Sequence, residues 1–544
     1  MKPYVPLVAL SALLVGCAQY SRVTERPTAA LTTTAEQRSV LATAEQRRDD
    51  PAGQIGGYLD AAHAASVKLK AIPDDVLAQS DYNFAVARIV ETVSRNGLTP
   101  WDKPVECPSS DGGTWKLGLV PPDPRPQFHP SRIEVLATDR LVFRGKLVGE
   151  RAVTTGLGAP VVGIGRDLDP LATDEFGQPR NLFYGLTASV RFSGRRCDIV
   201  FVDPLEKETL TLNGRAYPLA ADFQAPLAMA LAGFDVRRLE LKEMFRPQLF
   251  EDSARLSRLE PFNPNKIPVL FVHGLSNSPA TFAPVIQFLR GDPLIRKNYQ
   301  FWVYSYPTGL PYPMSAAILR HQLAKIGKAY PGHKEIVVIG HSMGGMITRL
   351  LLTDSGQKIW DLYFDRPATE IPFSEAARQL MTRTLIFDAQ KGISRAVFVS
   401  ASHRGSDMAT DFFGRLGARL VGNPIADNEV NREVYAHVRP DVRVRGRHRL
   451  PNSIDMLDPH NRFVLAVNAL PLERGVPFHS LIGDRGRGGH LDQTKPVSND
   501  GIVPYWSSHM PGARSERIIP SGHWSHLHPL GMAEIKRILS EHLR

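Results

Sequence analysis

The stretch "IVVIGHSMGGMITRLLL", Ile336 to Leu352, constrains the chain more than any other. A continuous apolar run ends at Gly340, and a second apolar run with helical spacing begins within a few residues. Between them "GHSMG" fits G-x-S-x-G. That pattern puts a serine on a strained strand-to-helix turn, with glycines where side chains would strike the strand or the helix. The five-residue pattern is short, and its weight comes from context. "EIVVI" reads as a strand and "MGGMITRLLLT" as the opening of an apolar helix, as the motif requires. A serine raised in this way, beside free N–H groups at a helix start, is placed for nucleophilic attack.

The surroundings repeat the alternation. "VLFVHG" (269–274), "YQFWVYSYP" (299–307), "EIVVIG" (335–340), "RAVFVS" (395–400) and "FHSLIG" (478–483) are short and nearly continuous in apolar residues. Such runs suit parallel strands buried on both faces. "PATFAPVIQFLR" and "MSAAILRHQLAKIGKAY" lie between the first three and carry helical periodicity. The alternation predicts an α/β, mostly parallel, doubly wound sheet over 267–544. Connections at about 354–394 and 401–477 exceed what crossovers need and are expected to form a cap. "IWDLYF" (359–364) would either line an acyl pocket or pack within that cap.

A serine nucleophile needs a base, and the base needs a carboxylate. Strand-to-helix serines of this kind are followed in chain order by the acid and then the histidine. "VSNDGIVP" offers Asp500, and "LIGDRG" offers Asp484 directly after a strand. The local pattern favours Asp500, but order alone does not choose. "SGHWSHLHPL" carries His523, His526 and His528 between a short strand and a terminal helix. His523 is the first after the strand and is the expected base; His526 is the alternative, and His528 reads as a helix cap or surface residue. An oxyanion would be held by two N–H groups. Met343 follows the serine, and Leu275 follows the "HG" turn that closes the first strand.

Together "VLFVHGLSNSPATF", "FWVYSYPTGLP", "GHSMGGMITRLL", "SASHRGSDMA" and "SNDGIVP" resemble the α/β-hydrolase superfamily. More narrowly, they resemble lipase-like and GPI-inositol-deacylase-like serine esterases among bacterial lipoproteins. The likeness covers about 260–544. It implies the α/β-hydrolase fold, with Ser342 as nucleophile, Asp500 as acid and His523 as base, and hydrolysis of carboxylic esters of acyl-lipid or similar apolar type. It implies no metal and no cofactor. Two other readings stand beside it: an acyltransferase using the same triad with an alcohol acceptor, and a lipid-anchored scaffold whose hydrolase half is inert.

The upstream half reads differently. "MKPYVPLVALSALLVGC" has Lys2, an apolar stretch too short to span a bilayer, and Cys17 in an "LVGC" ending that resembles a lipoprotein lipobox. Residues 1–16 are expected to be a signal peptide. Cys17 is then a lipid anchor, and Ala18 points to the outer membrane facing the periplasm. Residues 17–50 read as a tether. Over 51–100 a helical hairpin is expected, with Tyr82, Val86, Ile89 and Val93 on one stripe. The pair resembles one hairpin of the tetratricopeptide kind. From 104 to 222 the period changes to two, with a turn at Asn213-Gly214, predicting a small β-rich domain. Residues 223–266 read as a linker. Cys107 and Cys197 could join in a disulfide. The net charge of +10 is scattered, with no nucleic-acid-binding signature, and reads as a solvated basic surface.

Overall fold

The structure is a computed structural model that describes residues 21–26, 33, 35–47, 49–120, 133–165, 176, 183–232, 254–417, 429–442, 451–486 and 498–544. Residues 1–20, with the expected signal peptide and Cys17, lie outside the described residues. Two compact units form. One comprises residues 1–174, 178–234 and 290–297; the other comprises 175–177, 235–289 and 298–544. No helix among the described residues is long and apolar enough to cross a membrane.

The second unit is built on seven strands: β1 (Arg255–Arg258), β2 (Ile267–Val272), β3 (Tyr299–Ser305), β4 (Ile336–His341), β5 (Ile393–Val399), β6 (Phe478–Gly483) and β7 (Ser515–Ile519). Their order across the sheet is β1-β3-β2-β4-β5-β6-β7. All neighbours are parallel except β1, which runs antiparallel to β3 at the edge. Every residue of β4 and β6 is buried, which is why both strands read as nearly continuous apolar runs, although β6 also buries His479 and Ser480. The helix α1 (Tyr312–Ala329) joins β3 to β4, and α2 (Met343–Leu351) leaves β4. The chain ends in α3 (Pro529–His542), which has Pro529 at its start and buries Ile535, Ile538 and Leu539. β4 lies at the centre of the sheet, so the serine at its end stands over the middle of the unit.

The edge strand β1 falls within the stretch read as a linker. "RLSR" has no apolar run to announce it; its strand conformation comes from the ladder with β3, where Leu256 faces Tyr304. The same stretch also contains the helix Ala225–Ala232. The long connections hold short helices, including Glu375–Leu385 and Arg462–Ala469. "IWDLYF" is core: Ile359, Trp360 and Phe364 are almost fully buried, with the Trp360 and Phe364 rings 4.4 Å apart.

Arg349 of α2 is buried, with no carboxylate partner among the described residues. Its guanidinium donates to the carbonyls of Val467, Asn468 and Leu470, at 3.2–3.3 Å. These carbonyls lie at the C-terminal end of the helix Arg462–Ala469, where the helix dipole is negative. The helix α2 is thereby fixed to the second long connection.

The first unit has a six-stranded sheet in the order Val105–Pro108, Thr114–Val120, Arg196–Val202, Phe183–Ser193, Ala159–Gly165, Ile133–Ala137. The helices Pro51–Ala71 and Val76–Arg95 belong to this same unit. Asp50 and Asp75 cap them through side-chain bonds to Gly53 N and Ala78 N. Tyr82, Val86, Ile89 and Val93 are all buried, and the Tyr82 hydroxyl bonds both the N–H and the carbonyl of Val190 on the sheet. The hairpin thus buries its stripe on a sheet rather than on another repeat. Asn213 and Gly214, with φ of 52° and 79°, make the two-residue turn between Thr209–Leu212 and Arg215–Pro218. Residues read as tether include the helix Ala35–Gln46 and the strand Arg22–Glu25.

Cys107 and Cys197 do not form the disulfide considered above; both are free and buried. Cys107 is registered with Trp115 and Cys197 with Leu117, so the strand Thr114–Val120 runs between them. Strands two places apart lie about 9.5 Å from one another, beyond the ~7 Å Cα separation a disulfide can span. Burial pushes both thiols up to about 12.

Candidate active site

Ser342 follows β4 directly and caps α2. Its φ is 55° and its ψ −122°, a conformation that costs a non-glycine residue on the order of 1–3 kcal/mol. Two backbone bonds hold it there. Its N–H donates to the Val399 carbonyl at 2.9 Å, and its own carbonyl accepts from Gly345 at 2.9 Å. The flanking glycines are required by contact. A Cβ on Gly340 would lie 2.4 Å from the Gly344 carbonyl oxygen, and one on Gly344 would lie 2.1 Å from that of Val272. Strand, turn and helix meet too closely for any side chain at these two positions.

Asp500 and His523 come together from separate loops. His523 Nδ1 lies 2.7 Å from Asp500 Oδ2, and both side chains are almost fully buried. The other carboxylate oxygen, Oδ1, accepts the N–H groups of Ile502 at 2.9 Å and Val503 at 2.7 Å. The "NDG" turn therefore fixes its own aspartate, leaving Oδ2 aimed at the imidazole. Asp484, the alternative acid, has other partners. Its Oδ1 accepts from Gly486 N at 2.8 Å, and its Oδ2 accepts from Ser498 Oγ at 2.7 Å. It braces the loop after β6.

The three histidines also separate. His526 is fully buried; its Nε2 faces Thr281 Oγ1 at 3.0 Å, and its ring packs on Phe282 at 5.1 Å. Burial pushes it down to about 3, so the ring is neutral. His528 caps α3, its Nδ1 accepting from Leu530 N at 3.2 Å. His523 alone of the three carries the carboxylate.

Met343 is the first residue of α2, where the N–H has no acceptor within the helix. Leu275 lies in the turn after β2, which presses on the serine: a Cβ on Gly274 would lie 2.9 Å from Ser342 Cβ. Three contacts brace this turn. The Tyr306 hydroxyl donates to the His273 carbonyl at 2.6 Å, its ring stacks on that of His273 at 4.3 Å, and Thr308 Oγ1 accepts the Ser276 N–H at 3.2 Å. Burial pushes His273 down to about 4. The turn that carries Leu275 thus packs against Ser342, and Met343 follows the serine as the first residue of α2.

Sequence reasoning did not single out His341, Thr281, Tyr306 or Ser400. His341 is buried beside Ser342, with its Nε2 3.0 Å from the His523 carbonyl oxygen. Burial and the neighbouring His526 and His523 rings hold it well below the ordinary imidazole range. Ser400 Oγ pairs with Ser525 Oγ at 2.9 Å, two residues beyond His523. His341 was visible in the sequence as the first variable position of G-x-S-x-G; the others carry no local signal.

Residues 269–535 match the model of a family described as "Alpha/beta hydrolase family", just under half of the chain. No curated protein matches. Among solved structures, the chain is similar to the lipase BlEst2 of Bacillus licheniformis in its mature form. The identity is 14% and the TM-score 0.32, over 52% of this chain and 97% of that one. It is also similar to a lipase-esterase related protein of Clostridium acetobutylicum, at 11% identity and TM-score 0.27, over 53% and 98% of the two chains. A third is an esterase of Pyrococcus furiosus, at 15% identity and TM-score 0.28, over 54% and 86%. The parallel sheet, the serine turn after β4 and the family match over 269–535 together make the second unit an α/β-hydrolase fold.

Proposed function

We propose that this α/β-hydrolase unit is a serine hydrolase of carboxylic esters, acting on acyl lipids or similar apolar esters. The observation that carries the reading is the buried 2.7 Å pair of His523 and Asp500, on a loop bonded through His341 to the turn that raises Ser342. Ser342 Oγ attacks the ester carbonyl carbon while His523 Nε2 takes its proton. The resulting imidazolium is stabilised by Asp500 through Nδ1–H. The carbonyl oxygen becomes an oxyanion, held by the N–H groups of Leu275 and Met343. The tetrahedral intermediate collapses, the C–O bond to the alcohol breaks, and His523 returns the proton to the departing oxygen. Water, deprotonated by the same imidazole, then attacks the acyl-serine, releasing the acid and regenerating Ser342.

The apolar preference is supported by Trp524. It follows His523, its ring is 5.9 Å from the imidazole, and it is 39% exposed. The test is a panel of p-nitrophenyl esters from acetyl to octanoyl. The expected result is kcat/KM rising with each added pair of methylenes, by up to about tenfold per pair where both are buried. A flat or falling series would remove the lipid-like substrate class while leaving ester hydrolysis itself in place.

We further propose that the enzyme works at a membrane surface, held there through lipidated Cys17. Metabolic labelling with radioactive palmitate is expected to mark the wild-type chain and not Cys17→Ser, which should move from the membrane to the soluble fraction. Equal labelling of the two would refute the anchor.

A further inference from the structure

The loop that carries His523 is held at four points, each from a different part of the unit. Asp500 bonds the His523 ring at 2.7 Å. Ser400, just past β5, meets Ser525 at 2.9 Å. Thr281 meets His526 at 3.0 Å. The fourth tether is His341, whose Nε2 reaches the His523 main-chain carbonyl at 3.0 Å. These four do different work. The first orients the imidazole about its own bonds, and the next two fix the far side of the loop. His341 is the last residue of β4 and is bonded covalently to Ser342. It is the member of this set that fixes the base relative to the nucleophile.

We propose that His341 is a positioning residue for the reaction: its Nε2–H bond to the His523 carbonyl sets the distance between the imidazole and Ser342 Oγ. This inference rests on the serine-hydrolase reading above and deepens it. The acceptor is a carbonyl oxygen, so Nε2 must carry the proton and donate. A neutral ring then has a bare Nδ1, and that atom has no hydrogen-bond partner among the described residues. Nδ1 faces the turn after β2: a Cβ placed on Gly274 would be 3.1 Å from it. The ring therefore fills the space between the oxyanion turn and the base loop. It also packs 4.9 Å from the His523 ring and 4.4 Å from that of His526. With His341 and His526 both held neutral by burial, His523 can take up a proton without a second charged imidazole beside it.

The consequence is catalytic rather than merely structural. Losing one hydrogen bond destabilises the fold modestly, whereas a shift of about 1 Å between reacting groups can lower a rate about 100-fold. Two variants separate these effects. His341→Phe keeps a ring in the cluster and removes the donor. His341→Gln supplies an amide N–H of similar reach.

Each would be assayed for kcat and KM on p-nitrophenyl butyrate and for the rate of labelling by a fluorophosphonate, with thermal melts alongside and Ser342→Ala as control. The expected result for H341F is a kcat about 10- to 100-fold lower, KM within about threefold of wild type, and a parallel fall in labelling rate. H341Q is expected to recover most of that loss. Normal kcat in H341F, or no recovery in H341Q despite a wild-type melt, would overturn the positioning role. So would equal loss in kcat and KM that follows the melting temperature. If H341F does not fold, the comparison passes to H341Q and H341N: the shorter amide of asparagine should give the lower kcat, and equal values would overturn the proposal. Full activity in Ser342→Ala would instead bring down the serine-hydrolase reading, and this inference with it.

Discussion

Ser342→Ala is expected to lower kcat by about 10⁴- to 10⁶-fold, with KM little changed, and to abolish fluorophosphonate labelling. The size follows from what is lost. Without Oγ no acyl-enzyme forms, and the imidazole has no proton to take from the nucleophile. What survives is acceleration by the amides of Leu275 and Met343 acting on attack by water, a remnant that does not depend on the serine. The same residue offers an internal control. Its φ of 55° strains serine and alanine alike, but glycine adopts it freely. Ser342→Gly should therefore be as inactive as Ser342→Ala yet melt at a higher temperature, despite glycine's greater backbone entropy when unfolded. An alanine variant with wild-type turnover would place the chemistry elsewhere. A glycine variant melting below the alanine one would show that the turn is not strained.

The parallel strands were legible in the sequence because burial on both faces keeps most of their residues apolar, even though Gln300, Arg395, His479 and Ser480 are buried among them. Val269 to Val272 and Ile336 to Ile339 are almost completely excluded from solvent, and their letters say so. The serine turn was legible for a related reason. Gly340 and Gly344 are set by contacts with neighbouring carbonyls, so sterics write themselves into the sequence at fixed spacing. The edge strand β1 was not legible. "RLSR" takes its conformation from Trp302 to Ser305 across the ladder, a partner more than forty residues away.

The partners of the serine were legible only as types. Asp484 and Asp500 are both aspartates in loops after strands, and both are buried. They differ in where their second oxygen points, to Ser498 in one case and to His523 in the other. His523 and His526 differ in the same way, since one finds a carboxylate and the other a threonine hydroxyl. Such choices are settled by tertiary placement, which no local pattern encodes. His341 shows the opposite case. Its position was visible inside the motif, but its function depends on the carbonyl of a residue 182 positions later.

That difference between the two aspartates sets the second large effect. Asp500→Asn is expected to lower kcat about 10⁴-fold, while Asp484→Asn should cost less than about tenfold. Asparagine is nearly isosteric with aspartate, and its side-chain oxygen can still accept from the Ile502 and Val503 N–H groups, as Oδ1 does now. That preference would keep the turn intact and place the amide NH₂ where Oδ2 stood. A donor would then face His523 Nδ1, which could respond only by losing its own proton there and accepting. The tautomer would reverse, Nε2 would carry the hydrogen, and no base would be left for Ser342. No carboxylate would remain to stabilise an imidazolium either. At Asp484 the same change swaps one acceptor among loop contacts and leaves the imidazole untouched. Steady-state kinetics on the two variants, with melts to check folding, decides the assignment. Equal losses, or a larger loss at Asp484, would mean that the bond seen between Asp500 and His523 does not orient the base.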